Sequence, residues 1–173
     1  TVTDKTWTYT PKVDLADGEY TVVASATDPA GNTGDSLPES FVVDTVGPEL
    51  TIDDVEPTND TTPTLSGTTD KDATVAVEIL DKAGNIVAKG PATVDAEGNW
   101  TYTPDAALPE GDYTIKAVAT DPVGNTTTEI SEVPFTVDTT APSNTDVTID
   151  PIDDTNDTTP AITGTTEADT KVK

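Results

Sequence analysis

Oxygen is the only ligand chemistry this chain carries in quantity. Its 173 residues hold 33 Asp and Glu against 8 Lys and Arg, a formal charge of −25, with no His, Cys or Met. Lacking His, it has neither the commonest general base nor the commonest transition-metal ligand. Lacking Cys, it has no thiolate nucleophile and no disulfide. Carboxylate, amide and hydroxyl oxygens remain, and these are donors for hard cations. The acids and amides of interest are spaced along the chain: Asp28 with Asn32, Asp44, Asp70 with Asp72, Asp121 with Asn125, Asp138, and Glu167 with Asp169. No EF-hand loop of the Asp-x-Asp-x-Asp-Gly type is present, so a cation site here must be composite. No nucleophile–base pair or paired-carboxylate site stands out, and the chain reads as non-catalytic.

What positions those residues is a repeat. Trp7-Thr-Tyr-Thr-Pro11 returns as Trp100-Thr-Tyr-Thr-Pro104, and Leu15-Ala-Asp-Gly-Glu-Tyr20 as Leu108-Pro-Glu-Gly-Asp-Tyr113. Thr27-Asp-Pro-Ala-Gly-Asn-Thr33 returns as Thr120-Asp-Pro-Val-Gly-Asn-Thr126. Val43-Asp-Thr45 with Pro48 returns as Val137-Asp-Thr139 with Pro142, and Asn59-Asp-Thr-Thr-Pro63 as Asn156-Asp-Thr-Thr-Pro160. The first three offsets are 93, the fourth 94 and the last 97, so small insertions fall between fixed motifs, as loops allow. The division that follows is the C-terminal half of a unit over 1–46, a complete unit over 47–141 and the N-terminal part of a third over 142–173. The chain opens at Thr1-Val2-Thr3 with no leader-like segment, and it is expected to be part of a longer protein.

Within the complete unit the apolar residues alternate, the mark of half-buried strands. Val75, Val77 and Ile79 share one face, as do Tyr113, Ile115, Ala117 and Ala119; Trp100 with Tyr102 and Phe135 with Val137 form shorter pairs. Asp81-Lys-Ala-Gly-Asn85 and Asp95-Ala-Glu-Gly-Asn99 are hairpin signals. With no helical period in the chain, about seven strands in roughly 94 residues predict tandem all-β immunoglobulin-like sandwiches of Greek-key type, end to end. Leu108-x-x-Gly111-x-Tyr113 reads as a tyrosine corner, and Ile115 stands where antibody domains place their second bridging Cys. Trp100 and Tyr113 read as core residues.

From Gly67 to Pro142 the ordered pattern Gly-Thr-x-x-x-x-Ala-x-Val, Gly-Asn-Trp-x-Tyr-x-Pro, Gly-x-Tyr, Ala-Thr-Asp-x-x-Gly-Asn and Val-Asp-Thr-x-x-Pro resembles bacterial immunoglobulin-like (BIg) repeats. The resemblance implies the extender region of a giant adhesin exported by type I secretion, as in biofilm proteins. It implies a secreted or cell-surface location and calcium between consecutive repeats.

Following the strands places the acids. The linker carrying Asp44, the loop carrying Asp70 and Asp72, and the loop carrying Asp121 and Asn125 all fall at the end of the sandwich nearest the preceding unit. Carboxylates crowded there repel unless a hard cation neutralises them, and calcium accepts six to eight oxygens with tolerant geometry. The next junction repeats the pattern with Asp138, Glu167 and Asp169, while Asp28 and Asn32 belong to the junction before. Asp53-Asp54 and Asp153-Asp154 form a secondary pair, read as solvated acid. The alternative for each acid is a turn, because Asp readily hydrogen-bonds its own backbone.

The expected partners are Ca2+, neighbouring repeats of the same chain, and a host-cell or abiotic surface reached through other domains. Nucleic acid is not among them, since the charge of −25 would meet phosphate with repulsion. Membrane insertion is not expected either, because no apolar run approaches the roughly 18–20 residues a span needs. Two other roles remain open on the sequence: a glycan-binding repeat, and an accessory module of a secreted polysaccharide-active enzyme.

Overall fold

The computed structural model describes all residues except Thr1, Asp4, Asn144, Ala168 and Asp169. Its regular structure is all strand. The first unit contributes β1 (Val2–Thr3), β2 (Thr6–Trp7), β3 (Gly18–Val22), β4 (Ser25–Thr27), β5 (Thr33–Asp35) and β6 (Glu39–Val43). The complete unit contributes β7 (Leu65–Thr68), β8 (Thr74–Asp81), β9 (Ile86–Pro91), β10 (Thr93–Val94) and β11 (Asn99–Tyr102). It continues with β12 (Gly111–Thr120), β13 (Thr126–Ile130) and β14 (Phe135–Val137).

Two antiparallel sheets face each other in the complete unit. One runs β10-β11-β7; the other runs β13-β12-β8-β9, with β14 also paired to β12. The period-2 pattern predicted from sequence is the pattern of burial. Val75, Val77 and Ile79 of β8 and Tyr113, Ile115, Ala117 and Ala119 of β12 point inward, across from Leu65, Trp100 and Tyr102. Such a core, with no disulfide, derives its stability from apolar area removed from water.

The final strand is broken. Residues 131–134 loop out between β13 and β14, and Ser131 fills the gap by accepting the Ile115 N–H at 3.0 Å while donating its own N–H to the Ile115 carbonyl at 2.8 Å. The segment 50–55 follows β7 without forming a regular strand, with backbone bonds from Thr51 to Thr68 and from Asp53 to Ser66, then changes sheets. At Thr58 it runs parallel to β14, giving its N–H to Thr136 and accepting from Asp138. One segment thereby joins both sheets.

Trp100 pins this segment by donating its indole N–H to the Thr51 carbonyl at 2.9 Å. Gly67 is required there: a Cβ would run into that same carbonyl and into the indole ring. The tyrosine corner is present, with the Tyr113 hydroxyl donating to the Pro109 carbonyl at 2.7 Å and the ring 5.6 Å from that of Phe135. Burial raises the Tyr113 hydroxyl above its ordinary pKa, and the nearby Asp81 carboxylate pushes the same way.

The flanking parts reproduce pieces of this pattern. Tyr20 donates to the Ala16 carbonyl at 2.8 Å and stacks on Phe41, yet Trp7 is 56% exposed where its counterpart Trp100 is fully buried. In the last unit Thr148 and Asp150 bond the backbone of Thr165 and Thr163, as Thr51 and Asp53 bond Thr68 and Ser66. The Asp150 carboxylate accepts from Thr163, just as Asp53 accepts from Ser66, each at 2.7 Å. Asp150, not Asp153, is thus the counterpart of Asp53, and both carboxylates bind hydroxyls between neighbouring chain segments.

Candidate metal centre at the repeat junction

Asp44, Asp70, Asp72 and Asp121 line one cleft of about 330 Å3. Three separate stretches of chain supply them. Asp44 follows β6 directly, Asp70 and Asp72 lie in the turn from β7 to β8, and Asp121 opens the turn from β12 to β13. The β7–β8 turn is tight because the Asp70 carbonyl accepts the Ala73 N–H at 2.9 Å. Asp44 caps its own linker by accepting the Val46 N–H at 3.1 Å. Lys71 shares the cleft wall, a cation among the four carboxylates.

Asp121 is held by its own turn. One carboxylate oxygen accepts the N–H groups of Val123, Gly124 and Asn125 at 3.0, 2.7 and 2.8 Å, and the other accepts the Asn125 side-chain amide at 2.8 Å. Partial withdrawal from water pushes the carboxyl pKa up, but the bonds from the Asn125 side chain and from the three N–H groups outweigh it and leave the group below its ordinary value. Asn125 donates a second time, to the Asp44 carbonyl at 3.0 Å. Its backbone carbonyl accepts the Asp121 N–H at 3.1 Å, which leaves the side-chain carbonyl as the oxygen it can offer a cation.

This Asp-x-x-Gly-Asn turn occurs four times with the same bonding: Asp28–Asn32, Asp81–Asn85, Asp95–Asn99 and Asp121–Asn125. The glycines adopt φ of +93°, +82°, +88° and +100°, a left-handed backbone that favours Gly. In Asp28, Asp81 and Asp95 the Asn side chain is the main reason the carboxyl sits below its ordinary pKa, with the Asn backbone N–H next. Asp81–Asn85 joins β8 to β9 at the opposite end of the sandwich, and Asp95–Asn99 joins β10 to β11 beside the β7–β8 turn, where the Gly98 carbonyl accepts the Thr69 N–H at 2.8 Å. The motif is therefore first a turn device, and only its copy at Asp121 and Asn125 reaches the linker.

The donor chemistry of the cleft fits a hard cation, since carboxylates, an amide carbonyl and backbone carbonyls are its only ligand types. Among the described residues no three Asp or Glu are already gathered closely enough to hold an ion. The acids share a cleft without forming a ready-made cage.

A family model of the bacterial Ig-like domain matches residues 1–45 and 52–139. The chain belongs to this family. The crystal structure of a tetra-tandem repeat in the extending region of a large adhesion protein resembles it at 35% identity, with a TM-score of 0.51. That match covers 79% of the chain, which spans only 35% of that structure's length. CopC from Methylosinus trichosporium OB3b matches at 20% identity and TM-score 0.41, over 52% of this chain and 94% of its own. Dimeric latent PorU from Porphyromonas gingivalis matches at 20% and 0.39, over 71% of this chain and 12% of its own. Both are too distant to bear on this chain's role. Among curated proteins, no sequence matches it significantly.

The other acids expected at bacterial Ig-like junctions have local uses. Asp138 accepts the Thr140 N–H at 2.9 Å, as Asp44 does for Val46. At Glu167 it is the backbone carbonyl, not the carboxylate, that accepts the Thr170 hydroxyl, at 2.8 Å, while Asp169 lies outside the described residues. Asp28 and Asn32 bond each other within the first of the four turns. Sequence reasoning missed two acids beside the linkers. Asp17 accepts the Thr45 hydroxyl, and Glu110 accepts the hydroxyls of Thr139 and Thr140. The signal was present: both occupy the place just before the corner glycine, one repeat apart.

Proposed function

We propose that these bacterial Ig-like repeats are non-catalytic extender units of a large secreted or cell-surface adhesin, stiffened by Ca2+ at their junctions. The observation that carries the reading is the shared cleft: a linker acid, two acids of one loop and one of another meet where consecutive units join. Bound there, calcium would supply the positive charge that offsets the crowded carboxylates. Asp44, Asp70, Asp72 and Asp121 would hold it, with the Asn125 carbonyl as a further oxygen. Resemblance to repeats from the extending region of a large adhesion protein supports the structural role.

Unit length sets what such a stalk can do. β12, at 10 residues, spans about 33 Å, so units in series add several nanometres for every few repeats. A rod of this kind would hold a distal adhesive domain away from the cell, toward a host-cell or abiotic surface. Before export by type I secretion, low calcium and the net charge of −25 would disfavour the compact state; outside, the ion would add stability by linkage.

Isothermal titration of the full chain with CaCl2, with MgCl2 as control, tests the reading. Saturable calcium binding that Asp70→Asn with Asp72→Asn removes is the expected result. No binding, or binding indifferent to that pair of substitutions, would overturn it. Melting provides the second arm: calcium at a hundredfold its Kd adds about 2.7 kcal/mol to the form that binds it. Chelation should reverse the rise.

A further inference from the structure

We propose that Asp17 and Glu110 are positioning residues that latch the outgoing linker to the preceding repeat without an ion. The same relationship occurs twice. Register explains it: β3 pairs with β6 so that Gly18 faces Val43, and β12 pairs with β14 so that Gly111 faces Val137. Carried one step past each ladder, the residue before the glycine lies beside the linker that leaves the last strand. In both repeats that residue is an acid, and the linker supplies Thr.

Side-chain reach sets the number of bonds. Among the described residues Asp17 accepts the Thr45 hydroxyl alone, at 3.0 and 3.1 Å from its two oxygens. Glu110, one methylene longer, takes the Thr139 N–H at 2.9 Å and the hydroxyls of Thr139 and Thr140 at 2.6 and 2.7 Å. The Thr139 hydroxyl, then that of Thr140, then the Thr139 N–H hold the Glu110 carboxyl below its ordinary pKa, so it is ionised near neutral pH.

The latch sits directly beside the linker acids. Asp44 precedes Thr45 and Asp138 precedes Thr139, and each also caps an N–H two residues on. At the first junction the linker is held from both sides, by Asp17 behind it and by Asn125, which takes the Asp44 carbonyl, ahead of it. The direction in which Asp44 faces the cleft is thus set by neutral and charge-assisted hydrogen bonds before any cation arrives. The consequence is a linker whose path is largely preset, on which an ion acts as a second constraint.

Two measurements on the full chain, both in chelator, test this independently of calcium. In amide hydrogen exchange at pH 7, Glu110→Ala should speed exchange of the Thr139 N–H at least tenfold while Val77 and Ile115 keep their protection. Glu110→Gln, retaining one carbonyl acceptor, should fall between. The chain has no Cys, so Lys12→Cys with Lys89→Cys places one spin label on each side of the Asp44–Thr45 linker. Adding Asp17→Ala should broaden their distance distribution.

Unchanged Thr139 exchange in Glu110→Ala, or unchanged label distances in Asp17→Ala, would overturn the latch. Loss of protection at Val77 and Ile115 together with Thr139 would also overturn it, by showing that Glu110 holds the fold rather than the linker. A failed calcium titration leaves both measurements, and hence the latch, standing.

Discussion

Asn125 reaches out of its own turn to the linker of the preceding unit, giving its side-chain amide to the Asp44 carbonyl at 3.0 Å. The same amide bonds Asp121 at 2.8 Å, so one side chain joins linker and loop at the candidate centre. Asn85 makes the same bond within its turn, to Asp81 at 3.0 Å, at the opposite end of the sandwich. The pair forms a matched experiment. Asn125→Ala should weaken calcium binding by at least about tenfold, since it removes a proposed ligand oxygen together with the bond that holds the linker. Asn85→Ala should leave the affinity where it was. Equal effects from the two variants, read by calorimetric titration, would remove Asn125 from the junction.

The two tryptophans occupy equivalent places in the repeat and opposite environments, 56% exposed for Trp7 and fully buried for Trp100. Iodide should quench roughly one of the two in the folded chain, and Trp7→Phe should remove the quenchable fraction. Trp100→Ala leaves a void under β7 and should destabilise the complete unit by about 3–5 kcal/mol. Trp7→Ala should change that unit's unfolding free energy, read by urea titration, by no more than about 0.5 kcal/mol, the scale of an exposed substitution.

Gly67 is the point of closest approach between the first segment and β7. An added methyl would meet the Thr51 carbonyl and, at 2.7 Å, the Trp100 indole nitrogen. Neither the backbone nor a fully buried ring can move freely, so Gly67→Ala should cost about 1–3 kcal/mol as an overpacked core does. Gly164 meets the equivalent Thr148 carbonyl in the last unit. Gly164→Ala, however, should leave melting of the complete unit unchanged. If the two variants melt alike, the strand contact at Gly67 is not structural.

Much of this was legible in the sequence because the fold is built from period-2 strands and repeated motifs. Tyr113, Trp100 and the inward residues of β8 and β12 followed from alternation alone, and tracing strand directions was enough to bring Asp44, Asp70, Asp72 and Asp121 to one cleft. What the sequence hid were contacts decided by register and local bonding. That Asp121 spends its carboxylate on its own turn depends on four donors converging, although the recurrence of the same motif at Asp81 and Asp95, as hairpin signals, was a readable hint. Glu110 and Thr139 are 29 positions apart and meet only because of how β12 pairs with β14. The sheet change at Thr58 likewise depends on both sheets being in place.

The Asp-x-x-Gly-Asn turns give the chain a definite acid response. In Asp81 and Asp95 the folded-state carboxyl lies below its ordinary value, mainly because the Asn side chain donates to the anion. A carboxyl depressed by folding stabilises the fold above the unfolded group's pKa, here 3.8, and that contribution is lost as pH falls through the lower folded value. Asn99→Ala removes the main donor to Asp95. It should therefore lower the melting temperature at pH 7, and the gap from wild type should close as pH drops below about 4, where both proteins carry Asp95 increasingly protonated. Salt at 1 M, which screens the general repulsion of a −25 chain, should raise both melting curves at pH 7 while leaving most of the gap between them. Parallel melts of the two proteins from pH 7 to 3 measure this directly; a gap that stays constant across the range would mean the turn does not depend on the charge of Asp95.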